Sequence, residues 1–585
     1  MDLSDGRRRN DGLMRTKNSP APELDFLQSV VVFDDRAYES QNPVGEVAHN
    51  PDLLADDVLD EPEASELAEL EPGELDTQTV VRSFADQGMN CAVLSPSDDG
   101  AGDTQRFLSL AKRADVVVLD WIIAQNKKSV PGAIVPASQH RTSLQLILAI
   151  LRLDRAVGSR LRLMCIYSGD SNLSQAESDI AKEIETEFGV KTRRASGRID
   201  FESARIVFLQ KPDTPGIDPE MAVLPEHLAE RIVREFSLFA ADGLLPRLAL
   251  QSLSAVRDQA HRILKRFASR LDPALLAHRA MTTPTDTEEF VIGLIRDELG
   301  AVVASGSVTR LLRDDAIEST VRTRTDGRAN VYYWKSRKPT APALTLTADE
   351  GREVLNIGTD SSYRIVLSTG VQKTFDKAVS FTSLSMAGSE SQVRSESKDV
   401  DLEFAMLSSL ARDGSLEGKD VAPPELKLGT ILFKPKLPTS VATAEEGGTP
   451  TSADGKFFLC LQPICDSTRL DKRTAFPLLP LDEIGLDADK FGLVVRRGGF
   501  RVLGHSFKLN RVNSIKFDSD RVTETVLATW QHGAWHFKAT TALYEWLGDV
   551  RIDKAHRLVN QLASDVGRVG VNEYEYLRRR HEGGA

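Results

Sequence analysis

Five polar residues suited to phosphoryl transfer each stand at the end of a short apolar run. Asp34 and Asp35 follow the run 30–33, Asp120 follows 116–119, Ser168 follows 163–167, and Lys211 follows 206–210. Phosphoryl transfer spreads negative charge over the oxygens of the migrating group, and catalysis consists mainly of positioning and neutralising that charge. Carboxylates can hold a Mg²⁺ ion for this purpose, while a lysine and a hydroxyl can take the remaining phosphoryl oxygens. Three carboxylates brought together without a cation would raise one another's pKa, so such a cluster calls for one. Each residue also has an ordinary reading. The Asp pair could be a turn or a cap, Ser168-Gly169 a turn, and Lys211-Pro212 a plain strand exit. Their order and their shared place at the ends of apolar runs favour the chemical reading.

The runs themselves are rich in β-branched residues and read as strands buried on both faces, the mark of a parallel sheet. In such sheets sites form at the carboxyl ends of the strands, where these residues would converge. A further strand is expected over 89–94, and helices over 77–87, 104–113 with Asp103 as cap, 144–153 with Thr142 or Ser143 as cap, 174–188 opened by Ser174, and 225–240. This alternation predicts an α/β fold with a doubly wound, five-stranded parallel sheet. The spacings are long: Asp120 lies 85 residues after Asp35, Ser168 lies 48 after Asp120, and Lys211 lies 43 after Ser168. Insertions in surface loops cost little, so the topology survives them.

With these residues in this order, residues 28–240 resemble the receiver domain of bacterial response regulators, a flavodoxin-like fold. The resemblance implies that Asp34, Asp35 and Asp120 hold Mg²⁺, with the backbone carbonyl of Ile122 completing the set. It implies that Asp120 accepts the phosphoryl group, that Lys211 pairs with it, and that Ser168 is the switch hydroxyl. Gly169, Pro212 and Phe208 fit the family's neighbouring positions, Phe208 being the aromatic that would move with Ser168. A receiver catalyses its own phosphorylation and turns over no separate substrate.

Composition is that of a soluble protein, with 41% hydrophobic and 27% charged residues. The net charge of −13 is local: residues 39–78 contain thirteen Asp/Glu and no Lys or Arg. That acidic insertion reads as a solvated loop, and the balanced remainder offers no broad footprint for nucleic acid. Cys91, Cys165, Cys460 and Cys465 form neither a disulfide framework nor a zinc pattern. No run is long enough to span a membrane, residues 1–27 form a polar tail without a signal-peptide core, and the cytoplasm is the expected location.

Residues 241–281 read as a helical connector. Ala249, Leu253, Val256, Ala260, Ile263, Phe267 and Leu271 recur at steps of four and three, a near-heptad seam that either packs on a neighbouring domain or joins two chains as a homodimer through 244–281. Beyond it come an α+β region over 282–440 with a helix near 286–299, strands near 330–335 and 364–367 and a polar loop at 388–398. A linker or loop follows over 441–456, and then an α+β region over 457–585 with Trp530, Trp535 and a final helix near 552–566. The stretch around Cys460-Leu461-Gln462-Pro463-Ile464-Cys465 resembles the C-terminal part of large receiver-like proteins of bacterial NTP-dependent conflict systems. That resemblance implies a histidine-kinase-like ATPase as partner and a setting in antiviral defence. Two other readings compete. One is a vestigial receiver acting as a binding scaffold. The other is an aspartyl-phosphate hydrolase, which would need an Asp-x-Asp that neither Asp34-Asp35-Arg36 nor Asp120-Trp121-Ile122 supplies.

Overall fold

The structure is a computed structural model that describes residues 22–38, 75–96, 101–123, 140–156, 160–436 and 454–567, the last two spans with breaks of at most five residues. Most of the acidic insertion, residues 1–21 of the expected N-terminal tail, residues 124–139 and most of 441–456 therefore lie outside the described residues, as do the side chains of Asp103 and Cys465. The chain divides into two compact units, residues 1–262 with 300–312, and residues 263–299 with 313–585. Among the described residues no helix is long and apolar enough to cross a membrane.

The first unit is built on β1 (Ser29–Phe33), β2 (Ala37–Tyr38), β3 (Leu75–Asp76), β4 (Asn90–Leu94), β5 (Val116–Leu119), β6 (Arg162–Ser168), β7 (Arg193–Ala195), β8 (Arg198–Phe201) and β9 (Ala204–Gln210). Its main sheet runs β4-β1-β5-β6-β9-β8-β7, and β2 pairs with β3 apart from it. The first five of these strands are mutually parallel. They are the expected five-stranded core, with the first strand between the second and third. The antiparallel hairpin β7–β8, which no sequence pattern announces, extends the sheet beyond β9.

Because successive strand residues face opposite sides, the apolar runs fill two cores. Val31, Phe33, Val117, Leu119, Ile166 and Phe208 pack with Phe107 of α3 (Ala101–Ala111), Ile147 of α4 (His140–Ala156) and Ile180 of α5 (Leu173–Phe188). On the other face Val30, Val32, Val118, Cys165 and Leu209 pack with Phe84 of α2 (Thr77–Asp86) and with Ile232 and Phe236 of α6 (Leu228–Ala240). The short α1 (Pro22–Phe26) joins this second layer, where Phe26 stacks on Phe236 at 5.8 Å. Burying both faces explains why the strands lack polar alternation.

Two sequence expectations in this unit change. Helix α4 begins at His140, so Ser143 is not a cap but lies inside the first turn, fully buried. Helix α5 opens at Leu173 after Asn172 rather than at Ser174.

The connector is not one helix. Helix α7 (Leu244–Arg266) ends before a 3₁₀ turn at Ser269–Leu271, and α8 (Asp272–Met281) follows, because Pro273 suits only the first turn of a helix. Within the first unit α7 lies along the amino ends of the strands. Gln251 donates to Asp25 (3.0 Å), Arg257 donates to the Phe26 carbonyl (2.7 Å) and to Asp115 (3.1 Å), and Gln28 donates to Asp258 (3.3 Å).

The second unit holds α9 (Pro284–Ser305) up to residue 299, α10 (Asp314–Thr325), and the strand pairs β10 (Asn330–Tyr333) with β11 (Leu344–Thr347) and β12 (Arg364–Val366) with β13 (Gln372–Thr374). Helix α11 (Ala348–Ile357) starts in a capping box made by Thr347 and Glu350. Helix α12 (Glu390–Ser409) occupies most of the expected polar loop at 388–398. Gln392 accepts from both the N–H and the hydroxyl of Ser389, and only the narrow stripe of Val393, Ser397, Leu402, Met406 and Ser409 is buried. So polar a surface hides the helical period.

The remaining strands form one sheet: β14 (Leu410–Asp413), β15 (Thr430–Pro435), β16 (Gly455–Cys460), β17 (Arg473–Ile484), β18 (Leu493–Arg496), β19 (Phe500–His505), β20 (Asn513–Asp518), β21 (Thr529–Gln531), β22 (Ala534–Lys538) and β23 (Leu543–Val550). Strand β15 pairs directly with β16, so 441–456 is no domain boundary: its last residues begin a strand, and 410–435 belong with 457–550. A bridge between Phe517 and Ala539 brings β20 to the end of β22 and curls the sheet around Phe458, Phe476, Phe537, Tyr544 and Trp546. Helices α12 and α13 (Ile552–Gly567) cover its other face through Met406, Leu558 and Leu562. Trp530 and Trp535 meet edge to face at 5.4 Å.

Candidate active site

The crevice forms where the strand order reverses, between β1 and β5, the place at which open parallel sheets bind ligands. Asp34 and Asp120 are the first residues past these two strands, and the Asp120 N–H donates to the Phe33 carbonyl at 2.9 Å, which fixes their relative height. Ser168 is the last residue of β6. Lys211 directly follows β9, and its N–H donates to the Ser168 carbonyl at 3.0 Å.

The side chains converge. Lys211 Nζ bridges Asp34 Oδ2 at 2.8 Å and Asp120 Oδ2 at 2.9 Å. Ser168 Oγ donates to Asp120 Oδ1 at 2.5 Å, and the Ile122 N–H donates to the same oxygen at 3.1 Å. Asp34 Oδ1 accepts from the Arg36 N–H at 2.9 Å. Carboxylate oxygens of Asp34, Asp35 and Asp120 lie within 4.8 Å of one another. Asp34, Asp120, Ser168 and Lys211 are all buried, and Asp35 is half-buried.

Burial governs the electrostatics. It pushes the Asp34 carboxyl up to about 6, with the Asp120 charge adding to the rise and Lys211 opposing it. Burial also works against the Lys211 ammonium, but Asp120 and Asp34 outweigh it and hold its pKa above the ordinary lysine value.

These residues fit a small hard cation. Three adjacent carboxylates are the oxygen donors that Mg²⁺ prefers. Asp34, Asp35 and Asp120 would hold the ion. For Ile122 the structure records an N–H bonded to Asp120. Phe208 lies in the core on the α3–α5 face and pairs in register with Ile166, two residues before Ser168.

Two supporting residues have roles that the sequence does not signal. Ser143 Oγ lies 2.8 Å from the Asp120 carbonyl and 2.9 Å from that of Trp121, so α4 pins the turn that carries the acceptor. Gln210 accepts from the Asp218 N–H at 2.8 Å and reaches the Asp170 carbonyl at 3.5 Å, tying the loop after Ser168 to the loop after Lys211. No local pattern marks either role, because each contact joins segments set side by side by the sheet.

Comparison with known families agrees with this geometry. Residues 26–216 match the family model described as the response receiver domain, so this part of the chain is similar to that family. Comparison with curated proteins and with solved structures returns no match.

Proposed function

Starting from the similarity of residues 26–216 to the response receiver domain, we propose that this protein accepts a phosphoryl group on Asp120 from a histidine-kinase-like partner and passes the phosphorylated state to its C-terminal part. The observation that carries this reading is the bridge from Lys211 Nζ to both Asp34 and Asp120, with Ser168 on the other oxygen of Asp120. A purely structural lysine needs one counter-ion. Here it spans the two acids between which a phosphoryl group would enter.

In the transfer, an Asp120 carboxylate oxygen attacks phosphorus as the bond to the donor's imidazole nitrogen breaks, and the imidazole leaves with the electron pair. Asp34, Asp35 and Asp120 would hold a Mg²⁺ ion, which when bound would supply charge neutralisation on the phosphoryl oxygens. Lys211 leaves its ion pair with Asp120 to meet a phosphoryl oxygen, and Ser168 turns its hydroxyl from Asp120 Oδ1 to another. Each contact exists only in the phosphorylated state, so the phosphoryl group biases the loop after β6, and Phe208 follows Ser168. There is no turnover on a separate substrate. The setting is the bacterial cytoplasm, in a defence system that pairs the protein with such an ATPase.

The test is intact-mass measurement after incubation with Mg²⁺ and acetyl phosphate, or with a phosphorylated histidine kinase. The reading expects a Mg²⁺-dependent, base-labile adduct on the wild type and none on Asp120→Asn. Absence of an adduct with both donors overturns it in favour of a scaffold role.

A further inference from the structure

Helix α7 has two working faces, and the receiver uses only one. Leu250, Gln251, Ser254 and Ala255 are buried, and Arg257 bonds to Asp115 and to the Phe26 carbonyl. At 3.6 residues per turn, this face lies roughly 150° from the line through Ala249, Leu253, Val256, Ala260 and Ile263. No residue on that line is fully buried, and Leu253 is 53% exposed; Phe267, just past the end of the helix, is 38% exposed. Leu264, on its flank, is 73% exposed.

We propose that this face pairs with the same face of a second copy of the chain in a parallel, two-fold-symmetric helix pair. The spacing selects the partner. Strict steps of four and three describe a heptad seam, which is complementary to another helix of the same period. A two-fold axis along the seam sets each core residue against itself, so register is satisfied automatically. With Leu253 and Ala260 at a and Ala249, Val256 and Ile263 at d, the flanking positions bring Ser252 opposite Arg257 and Gln259 opposite Leu264. No like charges face each other, and Leu264 gains cover. The sheet edge is a poorer route to self-association, because β7 presents the exposed Arg193 and Arg194.

Five core positions are fewer than a free-standing coiled coil needs. This helix, however, is already ordered by its bonds to the receiver, so pairing does not bear the cost of forming it. The chain being long and the seam short, the dimer is expected in the micromolar range, and it requires no phosphorylation.

The test is sedimentation velocity of the full-length, unphosphorylated protein across roughly 0.5–100 µM, together with oxidative crosslinking of Ala260→Cys and of Lys265→Cys, which lies off the seam. The proposal expects a reversible species of twice the 64.3 kDa chain mass. It expects at least a tenfold weaker association for Leu253→Glu, a substitution at an exposed position. It also expects a disulfide-linked dimer for Ala260→Cys beyond the wild-type background and none for Lys265→Cys, since only a parallel, in-register pair sets residue 260 against itself. A wild type that stays monomeric throughout overturns the proposal. So does a dimer that ignores Leu253→Glu, or one that leaves Ala260→Cys uncrosslinked.

Discussion

Asp115 and Asp120 stand at opposite ends of one four-residue strand, β5. Asp120 closes its carboxyl end in the crevice with Lys211 and Ser168. Asp115 closes its amino end, where one carboxylate accepts from the N–H groups of Gln28 and Ser29 and from Arg257 of α7. About 16 Å of extended backbone separates them. A strand buried on both faces moves as a unit, so the acceptor and the anchor of the connector helix share one rigid element.

That anchor can be tested directly. Arg257→Ala removes the bonds to Asp115 and to the Phe26 carbonyl together with the stacking of Arg257 on the Phe26 ring at 5.2 Å. Amides in the middle of α7 are expected to exchange at least tenfold faster in hydrogen-exchange mass spectrometry. Phosphoryl uptake at Asp120 is expected to stay within about twofold of wild type, because the lost contacts lie at the far end of the strand.

Lys211 carries a heavier load. Lys211→Met leaves Asp34 and Asp120 buried without their cation, and breaking a buried pair in this way costs about 3–5 kcal/mol. The variant is expected to melt lower in the absence of metal, to lose phosphoryl uptake, and to be stabilised by Mg²⁺ more than the wild type is. Differential scanning fluorimetry with and without Mg²⁺ reads this out, and equal Mg²⁺ effects on the two proteins would rule out Lys211 as the crevice's resident cation.

At the amino end of β6, Arg162 is wholly buried. It donates to both oxygens of Asp154 at 2.8 Å and to the carbonyls of Ala111 and Ala114. Asp154→Ala strands that guanidinium and is expected to cost about 3–5 kcal/mol, whereas Arg162→Met with Asp154→Leu recovers much of the loss. Urea denaturation followed by exchange of the β6 amides distinguishes the two.

In the second unit Asp549 is buried in β23, where its Oδ1 accepts from Thr430 at 3.0 Å and from Trp546 Nε1 at 3.2 Å. Burial raises its carboxyl above the ordinary 3.8 despite those bonds and the pull of Arg412. A carboxyl raised on folding holds its proton more tightly in the folded state. The stability it contributes is therefore full below pH 3.8 and is lost as the pH climbs through the folded value. Asp549→Asn keeps an acceptor for both donors and removes this dependence. At pH 7 its tryptophan-monitored thermal transition is expected above that of wild type, with the gap narrowing as the pH falls.

The chemical residues are legible in the amino-acid sequence because each follows an apolar run that has one way to be buried. Runs such as Val116–Leu119 can only be central parallel strands, and a parallel sheet must bring Asp34, Asp120, Ser168 and Lys211 to one edge. Residues 193–201 carry no such signal: β7 is exposed and arginine-rich, and its hairpin is held by Arg198 on the buried carboxylate of Glu235. Helix α12 is hidden by its polar surface, and the unity of 410–550 by the loop between β15 and β16. Periodicity thus determined the strand core and the residues at its ends, since burial of a local apolar pattern is a local property. Only the tertiary structure decided that Lys211 bridges two acids, that Ser143 pins the acceptor turn, and which face of α7 the receiver takes. Those depend on contacts between segments far apart in the chain, which no local pattern encodes.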